Sequence, residues 1–416
     1  MDGYYSWMLI SASLVLMMTT PALALFYGGM SRTKSVLNMM MMSFSATGIV
    51  GLTYVLWGWS MSFSSLGWAA ADSQHPGWDF ATLFANPFDQ FGLQGTQPAN
   101  YVFVAFQLTF AVITAALISG AIADRVKFSA WIVFVPIWIT ASYFPMAHMV
   151  WGGGFLSNAA GGLADVIFSG DGAAAVAPID YAGGTVVHIN AGVAGLVLAL
   201  IIGVRRGFGK EPMKPHNLTL TMIGAGLLWF GWFGFNAGSI VFTSTKESEM
   251  ITQFTTETGL VWINTTTATC AAMIGWLVVE RVRDGKATSL GAASGVVAGL
   301  VAITPACGAV SPLGAIGLGL IAGALCALAV GLKFRFGFDD SLDVVGVHLV
   351  GGLVGTIGVG LFSTSTGLLY GAGVRQLIVQ VAVALFAVAA CAICIIRYFP
   401  WLFVAIWFKT PNQPLI

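Results

Sequence analysis

Charge is what this chain lacks. Its 416 residues include only 17 Lys+Arg and 17 Asp+Glu, so 8% are charged and the formal net charge is zero. Ordinary soluble domains carry about 25%. A soluble globule of this size could not cover its surface with so few. The neutral balance, with no long basic or acidic tail, also excludes nucleic acid as a partner. Cysteine is scarce as well. Cys270, Cys307, Cys326, Cys391 and Cys394 all lie in apolar segments, none with a loop partner at disulfide-like spacing. The C-x-x-C at 391–394 sits in AVAACAICII and reads as small packing residues rather than a redox or metal pair. A basic leader is missing too: MDGYYSW begins with an acid, so residues 4–28 are read as a retained first span.

What is abundant is apolar sequence. Hydrophobic residues make up 57% and the mean hydropathy is +0.86, which places the chain among all-α integral membrane proteins. Eleven runs are long enough to cross a bilayer: 4–28, 36–62, 99–122, 128–147, 183–203, 218–241, 257–279, 289–305, 312–332, 341–362 and 373–396. Basic residues test that count. Arg32, Lys34, Arg125, Lys127, Arg205, Arg206, Lys210, Lys214, Arg281, Arg283, Lys286, Lys333, Arg335, Arg397 and Lys409 all follow odd-numbered spans, leaving Lys246 and Arg375 opposite. The loops 63–98 and 148–182 have neither Lys nor Arg. Positive residues stay cytoplasmic, so the expected topology has the N-terminus outside and the C-terminus inside.

One frame occurs twice. HINAGVAG at 188–195 and HLVGGLVG at 348–355 share H-x-x-[AG]-G-x-x-G and fall in spans five and ten. Five helices per half is an odd number, so the halves must be inverted, with a shared site between them. The expected units are 4–203, an inverted 218–362, an eleventh helix at 373–398 and a short tail at 399–416. The glycines lie near the histidine face and permit close backbone approach.

An ionisable group at bilayer depth needs a partner. His188 and His348 could each bond a backbone carbonyl and merely pack. Their symmetric placement favours a facing pair of neutral imidazoles, a polar thread that passes a small neutral solute or a proton better than a fixed cation. Two histidines are too few for a closed metal site, and no Asp, Glu or Cys stands on a shared face to complete one. Asp180, ahead of a Gly-Gly pair, could cap the fifth span or bind a cation directly. Asp343 is expected to cap the tenth span; Asp339 and Asp340 are expected to be solvated. The Met run at 39–42 reads as flexible packing, and His75, His148 and His216 are assigned no chemistry.

Several strings resemble the ammonium transporter family (Amt/Mep/Rh), most closely its bacterial and archaeal Amt type. They are FYGGMSRTKSVLNMMM (26–41), HMVWGGG (148–154), DYAGGTVVHINAG (180–192), WFGFNAGS (232–239), LGAASGVVAGLVAITPACG (290–308) and DDSLDVVGVHLVGG (339–352). The resemblance implies a homotrimer in the plasma membrane, one pore per subunit, and ammonium, ammonia or methylammonium as substrate. It implies no cofactor, no metal and no enzymatic activity. It assigns an outer recruitment site to Phe110, Trp151 and Ser239 with Asp180 nearby, a phenyl gate to Phe110 and Phe235, and the pore to His188 and His348. Asn236 matches a family position that is read as structural. Aromatic faces attract a cation by roughly 0.5–2 kcal/mol each, and a dry pore beyond them rejects an ion that cannot shed its charge. A passive channel for ammonia or another neutral gas and an ammonium sensor are the competing readings. The family's bacterial members use a polar cytoplasmic tail to meet a PII-type signal protein. The ending RYFPWLFVAIWFKTPNQPLI departs from that pattern, so this partner is not carried over, and Trp401 and Trp407 suit the membrane interface instead.

Overall fold

The computed structural model describes residues 2–64 and 80–398. The tail at 399–416, with Trp401 and Trp407, and His75 lie outside the described residues. Within them the fold is all-helical, with no strand beyond isolated bridges such as Val310–Ser363.

Among the described residues, ten helices are long and apolar enough to cross a membrane. They are Asp2–Met30, Thr33–Phe63, Pro98–Ile118, Phe128–Trp151, Gly184–Ile202, Leu218–Ala237, Glu247–Asp284, Pro312–Phe336, Val345–Phe362 and Arg375–Arg397. Ser289–Ile303 is apolar too, but only 15 residues long, roughly 22 Å at 1.5 Å per residue. Each apolar run in the sequence overlaps one of these helices. Their outward faces carry Leu52, Leu200, Leu313, Leu385 and Ile393, exposed as lipid-facing residues are. One helix departs from expectation. Glu247–Asp284 runs for 38 residues, well past the apolar stretch 257–279. Its first turns are polar and invisible to hydropathy, yet their hydroxyls bond back along the helix, as Thr252 Oγ1 does to the Ser248 carbonyl at 2.9 Å and Thr256 Oγ1 to the Thr252 carbonyl at 2.8 Å.

The two histidine helices touch at glycine. A Cβ on Gly192 would stand 2.5 Å from the Leu349 backbone nitrogen, and one on Gly352 3.1 Å from His188 Cβ. No real Cβ approaches a backbone atom as closely as the first. Gly192→Ala is therefore expected to destabilise the protein by about 1–3 kcal/mol, whereas Gly226→Ala, with nothing within 4 Å of its Cβ, should be neutral or slightly stabilising. Melting curves in detergent decide this; equal melting of the two variants contradicts the close approach.

At the Arg/Lys-rich end the acids differ from expectation. Asp339 and Asp340 are not solvated but 0% and 2% exposed. Arg205 grips Asp339 with Nε and Nη2, both at 2.8 Å, and its backbone N–H adds a third bond at 2.8 Å. Arg125 stands 4.0 Å from Asp339, and Asp124 bridges Arg205 at 3.5 Å and Arg32 at 2.7 Å. Burial works to raise the Asp339 carboxyl, but hydrogen bonds and charge from Arg205 win and hold it below the usual carboxylate range. The cap of the Val345–Phe362 helix is also not Asp343. Asp340 accepts from Val344 N–H at 3.0 Å and Val345 N–H at 2.7 Å. Asp343 has φ +64° and instead takes Lys333 Nζ at 2.7 Å. A residue turned into the left-handed region just before the helix cannot cap it. The acid three positions upstream can.

Candidate functional site: a conduction pathway

Two elements aim the histidines inward. Both begin with a π-helical turn, Gly184–Ile189 holding His188 and Val345–Leu349 holding His348. Each is capped by a carboxylate. Asp180 accepts from the N–H groups of Gly183 at 2.9 Å, Gly184 at 2.5 Å, Thr185 at 2.8 Å and Val186 at 3.2 Å. These are the orphan donors of a helix start, where negative charge is favoured. Asp180 and Asp340 stand at the same offset, eight residues before His188 and His348. A longer frame, D-x7-H-x-x-[AG]-G-x-x-G, was therefore present in both halves and could have marked Asp340.

The imidazoles face each other. His188 and His348 lie 5.4 Å apart between centroids at 20°, and their Nδ1 atoms are 3.3 Å apart. Both are buried, at 1% and 3% exposure. Two neutral rings joined through Nδ1 need one donor and one acceptor there. The ring accepting at Nδ1 then carries N–H at Nε2, and the ring donating at Nδ1 offers a bare Nε2. The pair thus presents one donor and one acceptor to its surroundings. Around it lies a tight cavity of about 10 Å³, of the order of one water site. Its lining is otherwise nearly all apolar, including Leu23, Phe26, Ile113, Leu117 and Val297.

Above the pair is a column of rings. Phe235 lies 6.2 Å from His188, and Phe110 stacks on Phe235 at 4.0 Å and 16°. Both phenyls are buried. Trp151 meets Phe110 edge-to-face at 6.0 Å and 79°. It is half-buried, and its Nε1 donates to the Asp180 carbonyl at 2.9 Å. Ser239, also half-buried, donates its hydroxyl to the Phe235 carbonyl at 2.8 Å and keeps its oxygen lone pairs. Of the residues that the resemblance named, Trp151, Phe110, Phe235, His188 and His348 form a continuous run of ring contacts, and Ser239 joins it through the Phe235 carbonyl. The Asp180 carboxylate is turned to backbone N–H groups rather than into the column.

Sequence reasoning passed over Trp232. Its indole stacks on His188 at 5.5 Å and 14°, and its Nε1 donates to Thr304 Oγ1 at 2.9 Å. The W-x-x-F spacing in WFGFNAGS puts it on the Phe235 face, but one tryptophan among 14 gave no reason to choose it. Asn236 follows the same network, donating to Thr265 Oγ1 at 3.0 Å and accepting from Thr304 Oγ1 at 3.4 Å. Its place is to tie three helices together beside the ring column. Among the described residues no cluster of three or more His, Cys, Asp and Glu could hold a metal ion.

A family model described as the Ammonium Transporter Family matches residues 6–407. A protein named "Ammonium transporter" from Mycobacterium tuberculosis (strain H37Rv) is 51% identical over 417 aligned positions, covering 94% of this chain and 82% of that protein. Among solved structures, Candida albicans Mep2 aligns with a TM-score of 0.81 at 28% identity, covering 100% of this chain and 88% of that one. A structure titled "Sensor Amt Protein" aligns with a TM-score of 0.80 at 27% identity, covering 98% and 95%.

Proposed function

From the premise that this chain belongs to the ammonium transporter family, we propose that it moves ammonium by stripping its charge at the phenyl stack and passing ammonia along the histidine pair. This chain is a multi-pass ammonium transporter of the plasma membrane, not an enzyme. The observation carrying the finer reading is the 3.3 Å contact between His188 and His348 Nδ1 beneath two stacked phenyls.

At the mouth, ammonium gives up part of its hydration. The Trp151 and Phe110 faces offset some of that loss, and the free lone pairs of Ser239 accept one of its N–H bonds. Phe110 and Phe235, in contact, then bar a hydrated ion. Carrying a full charge past them into an apolar cavity costs several kcal/mol at least. Ammonium can leave its proton behind; potassium has none to leave. Ammonia then meets an imidazole acceptor and donor in turn. The proton that ammonium sheds is taken up by the imidazole pair, the base beneath the phenyls, and passes along it after the ammonia, so transport is electrogenic.

The inverted five-plus-five arrangement is part of the same reading. Its support is the matched pair of capped π turns, together with equivalent backbone ties. Ser341 N–H bonds the Ala121 carbonyl at 3.2 Å at one end, and Tyr181 N–H bonds the Pro305 carbonyl at 3.2 Å at the other. We place the Arg/Lys-rich end in the cytoplasm, by the positive-inside rule, and the assembly as a homotrimer with one pathway per subunit.

Proteoliposomes on a solid-supported membrane test the mechanism. An ammonium pulse is expected to evoke a current, and an equal potassium pulse none. Alkalinisation without current indicates a passive ammonia channel and contradicts the proposal. Trp151→Ala should raise the half-saturating ammonium concentration roughly 2- to 30-fold, the equivalent of one cation–π contact of about 0.5–2 kcal/mol. An unchanged concentration dependence removes Trp151 from the recruitment site.

A further inference from the structure

Gln380 lies on the Arg375–Tyr398 helix, outside both histidine helices, and is fully buried. A buried amide in a membrane must be satisfied from within the protein. Its Nε2 donates to the Ile179 carbonyl at 2.8 Å and the Thr356 carbonyl at 2.9 Å. Its Oε1 accepts from Ile179 N–H at 2.9 Å and from Gln376 Nε2 at 3.2 Å. That is the full complement of a primary amide.

The partners give these bonds meaning. Ile179 immediately precedes Asp180, the cap of the His188 helix, and Gln380 holds both its N–H and its C=O. The residue is fixed as if paired in a sheet. Thr356 stands on the Val350–Phe362 helix, two turns beyond His348. Between these points Gly352 packs against His188. One side chain from a third helix therefore joins the start of one histidine helix to the body of the other. The far end has its own tie: Arg205, just past the His188 helix, grips Asp339 in the loop before the His348 helix. Neither helix can slide along the other without opening a buried polar contact at one end. An N–H···N bond tolerates only a few tenths of an ångström, so the imidazole separation depends on that register.

We propose that Gln380 is a positioning residue of the histidine pair, an amide clasp that sets the register of the two helices and so the distance between His188 and His348. This inference rests on the reading of the pair as the conduction path.

The test compares wild type, Gln380→Met and Gln380→Glu as full-length protein in proteoliposomes. Methionine keeps the volume and removes all four bonds; glutamate keeps the acceptor. The primary readout is the imidazole 15N spectrum by solid-state NMR, assigned with His188→Ala and His348→Ala references. In wild type one Nδ1 should be a hydrogen-bonded N–H and the other an acceptor. In Gln380→Met the bonded signature should be lost and the saturating ammonium current should fall at least tenfold. Gln380→Glu should lie between. A folded Gln380→Met with wild-type imidazole signals and wild-type current overturns the proposal. Should Gln380→Met fail to fold, Gln380→Glu decides: unchanged signals overturn it and shifted signals support it. A wild type that shows the paired imidazoles but no ammonium-evoked current overturns the conduction reading instead, and the NMR comparison still reports on the clasp.

Discussion

His188→Ala is expected to cut the ammonium-evoked current by one to two orders of magnitude at matched protein content. Among the described residues, His188 is the one side chain that bonds His348 Nδ1, and the substitution removes it. It leaves a buried polar atom unpaired, which costs about 1–3 kcal/mol, and removes one station for ammonia from an otherwise apolar cavity. Each 1.4 kcal/mol of added barrier slows passage about tenfold. The loss should appear in the maximal rate, because Trp151, Phe110 and Ser239 stay in place above. Currents on a solid-supported membrane measure it, with methylammonium uptake as a second assay. A His188→Ala protein with wild-type current would show that the pair is packing and not path.

Asp180→Ala should have the largest effect on stability. It deprives four backbone N–H groups of a charged acceptor at once. Single neutral caps are worth about 0.5–2 kcal/mol and bonds to charged groups about 1.5–3 kcal/mol each, with incomplete additivity. A loss of roughly 3–5 kcal/mol is expected, a large part of a typical total of about 5–15 kcal/mol. Folded yield should collapse and the melting temperature in detergent should drop. Asp180→Asn, with one amide oxygen left, should fall between. Asp340→Ala exposes only two N–H groups and should cost about half as much. An Asp180→Ala protein that melts like wild type but needs far more ammonium would identify the carboxylate as a cation ligand instead of a cap.

The helical frame was legible because burial in lipid demands long apolar runs, and nothing else in this chain looks like one. The histidines were legible because ionisable residues stand out against such a background. Asp339 and Asp340 were misread for a related reason. Acids beside a helix end are ordinarily solvated, and nothing local shows that Arg205, 134 residues upstream, comes to meet one of them. Arg205 itself sat within a basic run that the topology rule already explained. Gln380 was silent because it and Gln376, one turn before it, are uncharged amides in an apolar helix and match no motif. Phe110 and Phe235 could be singled out only through the family likeness, since stacking at 4.0 Å is a fact of three dimensions.

That stack has a kinetic consequence. Rings in van der Waals contact leave no standing aperture, so on the proposed pathway every passage waits for a phenyl to swing aside and return. Such a gate would work like a turnstile rather than an open bore. Its throughput is capped by how often a buried ring reorients, and no electrochemical gradient, however steep, can drive it past that ceiling. Warming should accelerate it more steeply than it accelerates free diffusion in water. Recordings from single molecules should show no discrete open level.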